Sequence, residues 1–491
     1  MRRREFCGIS VAAGAATLLP IGRILSAAGD ASQGADLRAV KLSGAETTIE
    51  RAAVRDLRAS LSGTLLAPGE EGYEVARHVW NGMIDKHPAL IARCADTKDV
   101  VRAVTFARER ELLLAVRGGA HSFPGYSTCN GGLVIDLSSM RAVDVSPDAR
   151  TARVAPGAWV AHVDAATQKH ALGMPLGQIS NTGVAGLTLG GGFGWLSRRF
   201  GLTCDNLISA DLVTADGKVR RVSERDEPDL FWAIRGGGGN FGVATSFEYR
   251  LHPVNPTVLA GHVDFPTAQL RDAIEFYANL ITNAPRELAV DLQLAPNEDG
   301  KPGAQIYVVY SGDAKTGAKL FEPLQRFGKP IKNTIGPQSY LVVQTQFDTP
   351  PLDPTHWYLK GGFVREYSSG LIGLLADEPR PEGSVMFFEN ANGAVSDVAQ
   401  TATAFSHRNA VANMMLIGLW KDPSQDEPGR KAVHATWSKL VPFTEGYYVN
   451  LNDDPKGIDS NYGPNFTRLA ALKKQYDPLN LFRLNANIKP A

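Results

Sequence analysis

Glycine is unevenly distributed in this chain, and the unevenness constrains the fold more than any other feature. Of 491 residues, 49 are glycine. Many fall in three clusters: Arg117-Gly118-Gly119-Ala120-His121-Ser122-Phe123-Pro124-Gly125, residues 183–194, and residues 235–243. Paired glycines let backbone N–H groups approach a ligand closely, which suits phosphate oxygens, and small residues at this density let a chain lie flat against a planar ligand or another backbone. The first cluster lies between apolar runs at 112–116 and 133–137, which read as short buried strands. Arg117 offers a fixed positive charge there, and His121 offers a nucleophilic imidazole. Taken alone, this cluster reads equally well as a tight turn carrying a solvated histidine.

The third cluster contains a formal G-x-G-x-x-G, at Gly237, Gly239 and Gly242. That fingerprint binds a dinucleotide when it follows a strand and opens a helix. Here the order is reversed. Residues 229–234 read as a helix before the glycines, and residues 243–249 read as a strand after them. A nicotinamide-binding Rossmann unit is therefore disfavoured.

Length allows two or three domains with real cores. Formal net charge is +0, so nothing points to nucleic acid or an anionic membrane surface. The N-terminus, Arg2-Arg3-Arg4-Glu5-Phe6, precedes an apolar small-residue run at 9–25 and a small-residue cleavage site at Ser26-Ala27-Ala28. This pattern matches a twin-arginine export signal over residues 1–28, so a periplasmic or secreted protein is expected, handled by the twin-arginine machinery. No other stretch is long and apolar enough to span a bilayer. Cys7 falls in the signal. Cys94, Cys129 and Cys204 have no metal-like spacing, so no metal site and at most one disulfide are expected.

Along the chain, residues 29–80 read as a polar, poorly packed linker and N-terminal segment. Strand 89–92, helix 97–111 and the strand before Arg117 form a β-α-β unit. A hairpin turns at Pro147-Asp148, a helix spans 159–170, and Asp216-Gly217 turns a second hairpin. From residue 255 the texture changes to strands, such as 305–310 and 340–346, alternating with amphipathic helices such as 267–281. The boundaries expected are 81–254 for a first domain, 255–445 for a second, and 446–491 for a segment folding back on the first.

These motifs taken jointly resemble the berberine-bridge-enzyme-like flavoproteins, within the vanillyl-alcohol-oxidase (PCMH) type of FAD-binding fold. The residues that carry the resemblance are the 117–122 loop, Gly186-Leu187-Thr188-Leu189-Gly190-Gly191-Gly192-Phe193-Gly194, Gly201-Leu202-Thr203-Cys204-Asp205-Asn206, Asp229-Leu230-Phe231-Trp232 with 235–242, and Tyr476-Asp477-Pro478 with Asn480-Leu481-Phe482. The resemblance implies an α+β protein with a two-subdomain FAD-binding domain. A substrate domain with a mixed or antiparallel sheet would lie over the flavin ring, and the C-terminal segment would return to the FAD domain. It further implies FAD held by Arg117, Gly118, Gly119, Ala120, His121, Ser122, Gly125, Gly183, Ala185, Gly186, Gly190, Gly191, Asn240, Gly242, Val243, Asn485 and Asn487, with His121 bonded to the flavin 8α-methyl. The activity implied is oxidation of a small molecule, with hydride passing to flavin N5 and dioxygen as acceptor.

The departures from the family pattern are informative. The position of a second, cysteinyl flavin link is Ile179, so a single link is expected. A histidine common in plant members falls at Leu187. The oxygen-gating position is Thr182, which leaves a dehydrogenase open. The family's usual base falls at Met415, and its tyrosines fall at Leu451, Phe193 and Ala391. Tyr448, Tyr447 or Glu389 is then the candidate relocated base. A pocket lined by Phe193, Met415 and Leu451 is apolar. That weakens a carbohydrate oxidase, whose substrate hydroxyls need partners, and favours an aromatic or polyketide-like alcohol or an activated C–H. A binding protein that has lost catalysis is the alternative of a different class.

Overall fold

A computed structural model describes residues 36–350, 354–451 and 457–491. The export-signal residues and Cys7 lie outside the described residues. The part from Leu37 to Ala491 holds together as one body, built from three main sheets.

The first sheet has four strands in the order Thr64–Leu66, Leu90–Arg93, Leu133–Asp136, Leu114–Arg117. Helix Thr97–Glu109 covers it. Asp96 caps that helix by accepting from the Asp99 N–H, and Val100, Ala103, Val104 and Ala107 form its buried stripe. These positions recur at helical spacing and pack with Leu90, Leu114 and Leu133 in one core. The β-α-β unit expected from sequence is present, but its two strands are not neighbours. Both pair in parallel with Leu133–Asp136, which lies between them.

The 29–80 linker is corrected in part. Leu37–Val40 and Glu46–Ile49 pair as a hairpin, and Arg51–Ser60 is a helix. Ala39, Ile49 and Leu57 join the same core as Leu90 and Val104. Each element there buries a single narrow stripe, so its composition stays polar although it packs.

The second sheet has five antiparallel strands in the order Val219–Ser223, Leu207–Val213, Val243–Arg250, Thr151–Val154, Val143–Ser146. Helix Pro228–Ile234 precedes the third glycine cluster and strand Val243–Arg250 follows it, the reverse of a Rossmann entry. The third sheet has eight strands, with Leu288–Pro296, Ser384–Asn390, Ala412–Trp420 and His356–Val364 side by side and antiparallel. Helix Leu270–Asn283 buries Leu270, Ala273, Ile274, Tyr277 and Ile281 in the core of that sheet.

Residues 340–346, expected as a strand, contain the helix Tyr340–Gln344. Tyr340, Val343 and Gln344 are buried while Leu341 and Val342 are exposed. That is a period near 3.6; a run of aromatic and β-branched residues supports either state until packing decides.

The C-terminal segment returns to the first two sheets, as expected. Lys473 and Asp477 form a fully buried ion pair at 2.7 Å. The lysine also donates to the Asn240 and Phe482 carbonyls, and the aspartate accepts from the Leu481 and Phe482 N–H groups. Every charge in this buried latch is therefore answered, which is the condition for keeping one. Among the described residues, no helix is long and apolar enough to cross a membrane, and Cys94, Cys129 and Cys204 are buried free thiols.

Candidate active site

One large cavity, of about 480 Å³, lies between the glycine loops and the eight-stranded sheet. Its two walls are built differently. The first is made of backbone. Gly118, Gly119, Ala120, His121 and Ser122 line it together with Gly183, Ala185, Gly186, Gly242, Val243 and Asn485. The 118–122 and 182–186 loops touch through their main chains: a Cβ built on Gly119 would fall 2.3 Å from the Gly183 nitrogen, and one built on Gly183 would fall 2.3 Å from the Gly119 nitrogen. A Cβ on Gly186 would meet nothing, since it would stand in the cavity. Just before His121, Ala120 takes φ 58°, a left-handed conformation that costs an L-residue about 1 kcal/mol.

His121 stacks on Trp80, with ring centroids 4.2 Å apart and planes 21° from parallel. Trp80 is fixed by its own N–H to the Ala120 carbonyl (3.0 Å) and by Nε1 to the Thr349 hydroxyl (2.8 Å). Burial pushes the imidazole down to about 4, against the weaker pull of its own backbone and Asn181. The ring is therefore neutral at working pH, and its buried Nε2 has no hydrogen-bond partner among the described residues.

The second wall is a strand face. Successive side chains of a strand alternate between faces. Val385, Phe387 and Glu389 come from one strand, and Met415, Ile417 and Leu419 from the next. Register places Phe387 opposite Met415, and Met415 opposite Gly361. Trp357, Phe347, Phe193 and Leu451 extend this apolar surface, and Ile179, Thr182 and Leu187 also line the cavity. Ala391 is buried but is not a lining residue.

Two polar groups stand at one end of that face. Glu389 is buried and accepts from Asn413 Nδ2 at 3.3 Å. Burial, and then the nearby Asp291 carboxyl, push its pKa up to about 8. The Tyr448 hydroxyl accepts from the Gly192 N–H (2.9 Å) and from Asn450 Nδ2 (2.8 Å). Burial, with Glu389 nearby, raises it well above the usual phenol range. It is thus a neutral donor with both acceptor sites filled.

Several residues expected at the site stand elsewhere. Arg117 does not line the cavity and donates to the Ala76 and Arg77 carbonyls. Gly125 packs on Ile84, Gly190 on Asn450 and Gly191 on Phe405. Asn240 latches the C-terminus, donating to the Ala486 carbonyl and accepting from the Ile488 N–H. Asn487 and Tyr447 do not line the cavity, and the Tyr447 N–H donates to Asn461. Sequence reasoning missed Trp80, Trp357, Gln178, Asp291 and Asn450. Asp291 alone had a readable signal, as the one charge inside the apolar strand Leu288–Pro296.

The fold and site define a protein with one large cavity between a wall of glycine backbone and an apolar sheet face. A family model described as FAD binding domain matches residues 88–223, and one described as berberine and berberine like matches residues 447–489. An FAD-linked oxidoreductase of Dictyostelium discoideum is 33% identical over 446 residues, covering 89% of this chain and 97% of that protein. The crystal structure of 6-hydroxy-D-nicotine oxidase from Arthrobacter nicotinovorans superimposes with a TM-score of 0.79 at 26% identity, covering 88% of this chain and 99% of that one. A xylooligosaccharide oxidase from Myceliophthora thermophila shares the fold, with a TM-score of 0.80 at 22% identity over 90% and 99% of the two chains. The chain belongs to the berberine-bridge-enzyme-like family of FAD-linked oxidoreductases.

The residues present fit FAD. The glycine wall leaves room that side chains would fill, and buried polar atoms without partners among the described residues, His121 Nε2 and Asn485 Oδ1, stand in loops of that wall.

Proposed function

We propose that this enzyme is an exported oxidase of a small, largely apolar molecule, acting on an alcohol or an activated C–H carbon, with FAD bonded covalently through His121 alone. The observation that carries this proposal is the cavity itself, with a neutral His121, its Nε2 without a partner among the described residues, in a glycine cradle on one wall and an apolar strand face ending in Glu389 on the other. When bound, FAD supplies the hydride acceptor at N5, and dioxygen restores it with hydrogen peroxide formed.

The chain's own residues divide the remaining tasks. A neutral imidazole is the nucleophilic form, and stacking on Trp80 fixes its plane. Ile179 offers no thiol for a second link. Glu389 is the base, because a carboxyl near 8 is poised to take a proton close to working pH. Tyr448 keeps its proton and offers it as a hydrogen bond beside that carboxylate. Phe387, Met415 and Trp357 hold an aromatic ring better than a sugar, whose hydroxyls would go unpaired there. The twin-arginine pattern at residues 2–6 supports export after folding and cofactor loading, to the periplasm or beyond.

The test is to purify the mature protein, denature it in acid and ask whether yellow colour stays on a peptide containing His121. Substrates are then screened by anaerobic bleaching and by peroxide release in air. Free flavin after acid treatment would sink the covalent link. Bleaching without peroxide would make the enzyme a dehydrogenase, and a protein that binds no flavin would sink the proposal whole.

A further inference from the structure

A second buried carboxyl, the one that helps raise Glu389, lies beside the cavity and makes contacts of its own. Asp291 is 1% exposed, on strand Leu288–Pro296. One of its oxygens, Oδ1, accepts from the Asn390 N–H at 2.9 Å; the other, Oδ2, accepts from Gln178 Nε2. Gln178 comes from the segment before the second glycine cluster, and it lines the cavity. Two residues beyond Asp291, and so on the same strand face, Gln293 lines the cavity as well and pairs in register with Phe387.

This arrangement leaves the Gln178 amide one orientation. An ionised carboxylate only accepts, so it takes the NH₂ side of the amide. With one Nε2 hydrogen committed to Asp291, the carbonyl Oε1 is left as the acceptor for the cavity, and no donor among the described residues reaches it. Phe387, Met415, Phe347 and Trp357 line the same cavity, together with Gln293 and Glu389. A buried acceptor in an apolar setting penalises any ligand that brings it no donor, because the acceptor would lose water and gain nothing.

We infer that Gln178, oriented by Asp291, is a specificity-determining residue that selects planar aromatic substrates carrying a hydrogen-bond donor, a phenolic O–H or a ring N–H, on the edge facing it. This rests on the proposal that the sheet side of the cavity receives substrate over the flavin. Asp291 is a positioning residue: it acts through Gln178.

The orientation makes a test that a merely structural role would not pass. In Asp291→Asn the amide oxygen still takes the Asn390 N–H, so the new NH₂ faces Gln178. Gln178 must then answer with Oε1 and turn its own NH₂ toward the cavity, so the site becomes a donor. The flavin-loaded protein is titrated with 2-naphthol, which donates, and with quinoline, a bicycle of the same size that only accepts. Binding is read from the shift of the flavin absorption band. Burial pushes the Asp291 carboxyl up to about 7, so the titration is run at pH 8.5, where it is ionised. Wild type is expected to bind 2-naphthol at least about tenfold more tightly than quinoline. Gln178→Leu should bring the two within about twofold, and Asp291→Asn should reverse their order. Equal binding of the two probes by wild type, binding of neither, or unchanged discrimination in Gln178→Leu would overturn the inference, and the wild-type ratio decides even if a variant fails to fold. A protein without flavin would remove the underlying proposal and this one with it, whereas a flavin-loaded protein without discrimination removes this one alone.

Discussion

The two walls of the cavity solve different problems. The glycine wall presents main chain to the cavity, and its key positions are defined by what is missing: a side chain at Gly119 or Gly183 would strike the facing loop. The sheet wall presents side chains on a frame that would stand equally well with others. Met415 and Phe387 face each other across antiparallel strands whose hydrogen bonds do not depend on what those side chains are. A wall made of backbone tolerates no change, and a wall made of side chains can change its chemistry while the fold stays put.

The contrast is sharpest at His121. His121→Ala should leave folding intact and abolish acid-stable flavin, measured as colour on the precipitated protein. Retained colour would move the covalent link elsewhere. Next in size, Gly119→Val should cost roughly 3 kcal/mol or more, since backbone cannot yield as a side chain can. It should appear as a lowered melting temperature together with loss of bound flavin; a normally loaded, stable variant would break the comparison.

On the other wall, Glu389→Gln should lower kcat by a factor on the order of 10² to 10⁴ while flavin content stays full. With Glu389 as base, the rate rises with pH through about 8, as the carboxylate form appears. Stability should move the opposite way. Burial pushes Glu389 up to about 8 and Asp164 and Asp291 up to about 7, whereas an unfolded chain releases such protons near pH 4. The folded state therefore binds more protons between about pH 4 and 8, and stability is lost as pH rises through that window. The melting temperature should be lower at pH 8.5 than at pH 5.5, and less so in Glu389→Gln. The smallest effect belongs to Met415→Leu, a volume-conserving change on the apolar face. It should cost under about 1.5 kcal/mol and leave flavin content untouched; a collapse of flavin binding there would erase the distinction between the walls.

Legibility in the sequence followed the same division. Gly118, Gly119, Gly183, Gly186 and Gly242 were readable because glycine density marks close backbone approach. The strand after the third cluster, and the helix before it, were readable from order alone. Arg117 was misassigned because a charge next to a glycine loop carries no information about the face to which its strand turns it. Tyr447 and Tyr448 are neighbours in sequence, and only packing shows that one faces the cavity and the other does not. The 340–346 run was misjudged because Tyr, Leu and Val serve a strand and a buried helix alike.

By itself the sequence determined the wall built of backbone and where many of the strands, helices and glycine loops fall along the chain. Those depend on local conformational freedom and on periodicity, which neighbouring residues specify. The tertiary structure decided which carboxyls are buried beside the cavity, that Trp80 stacks on His121, and that Gln178 meets Asp291 from 113 residues away. A pKa, a stacked ring and an oriented amide all arise from groups distant in the chain that exclude water together, and no local pattern encodes that meeting.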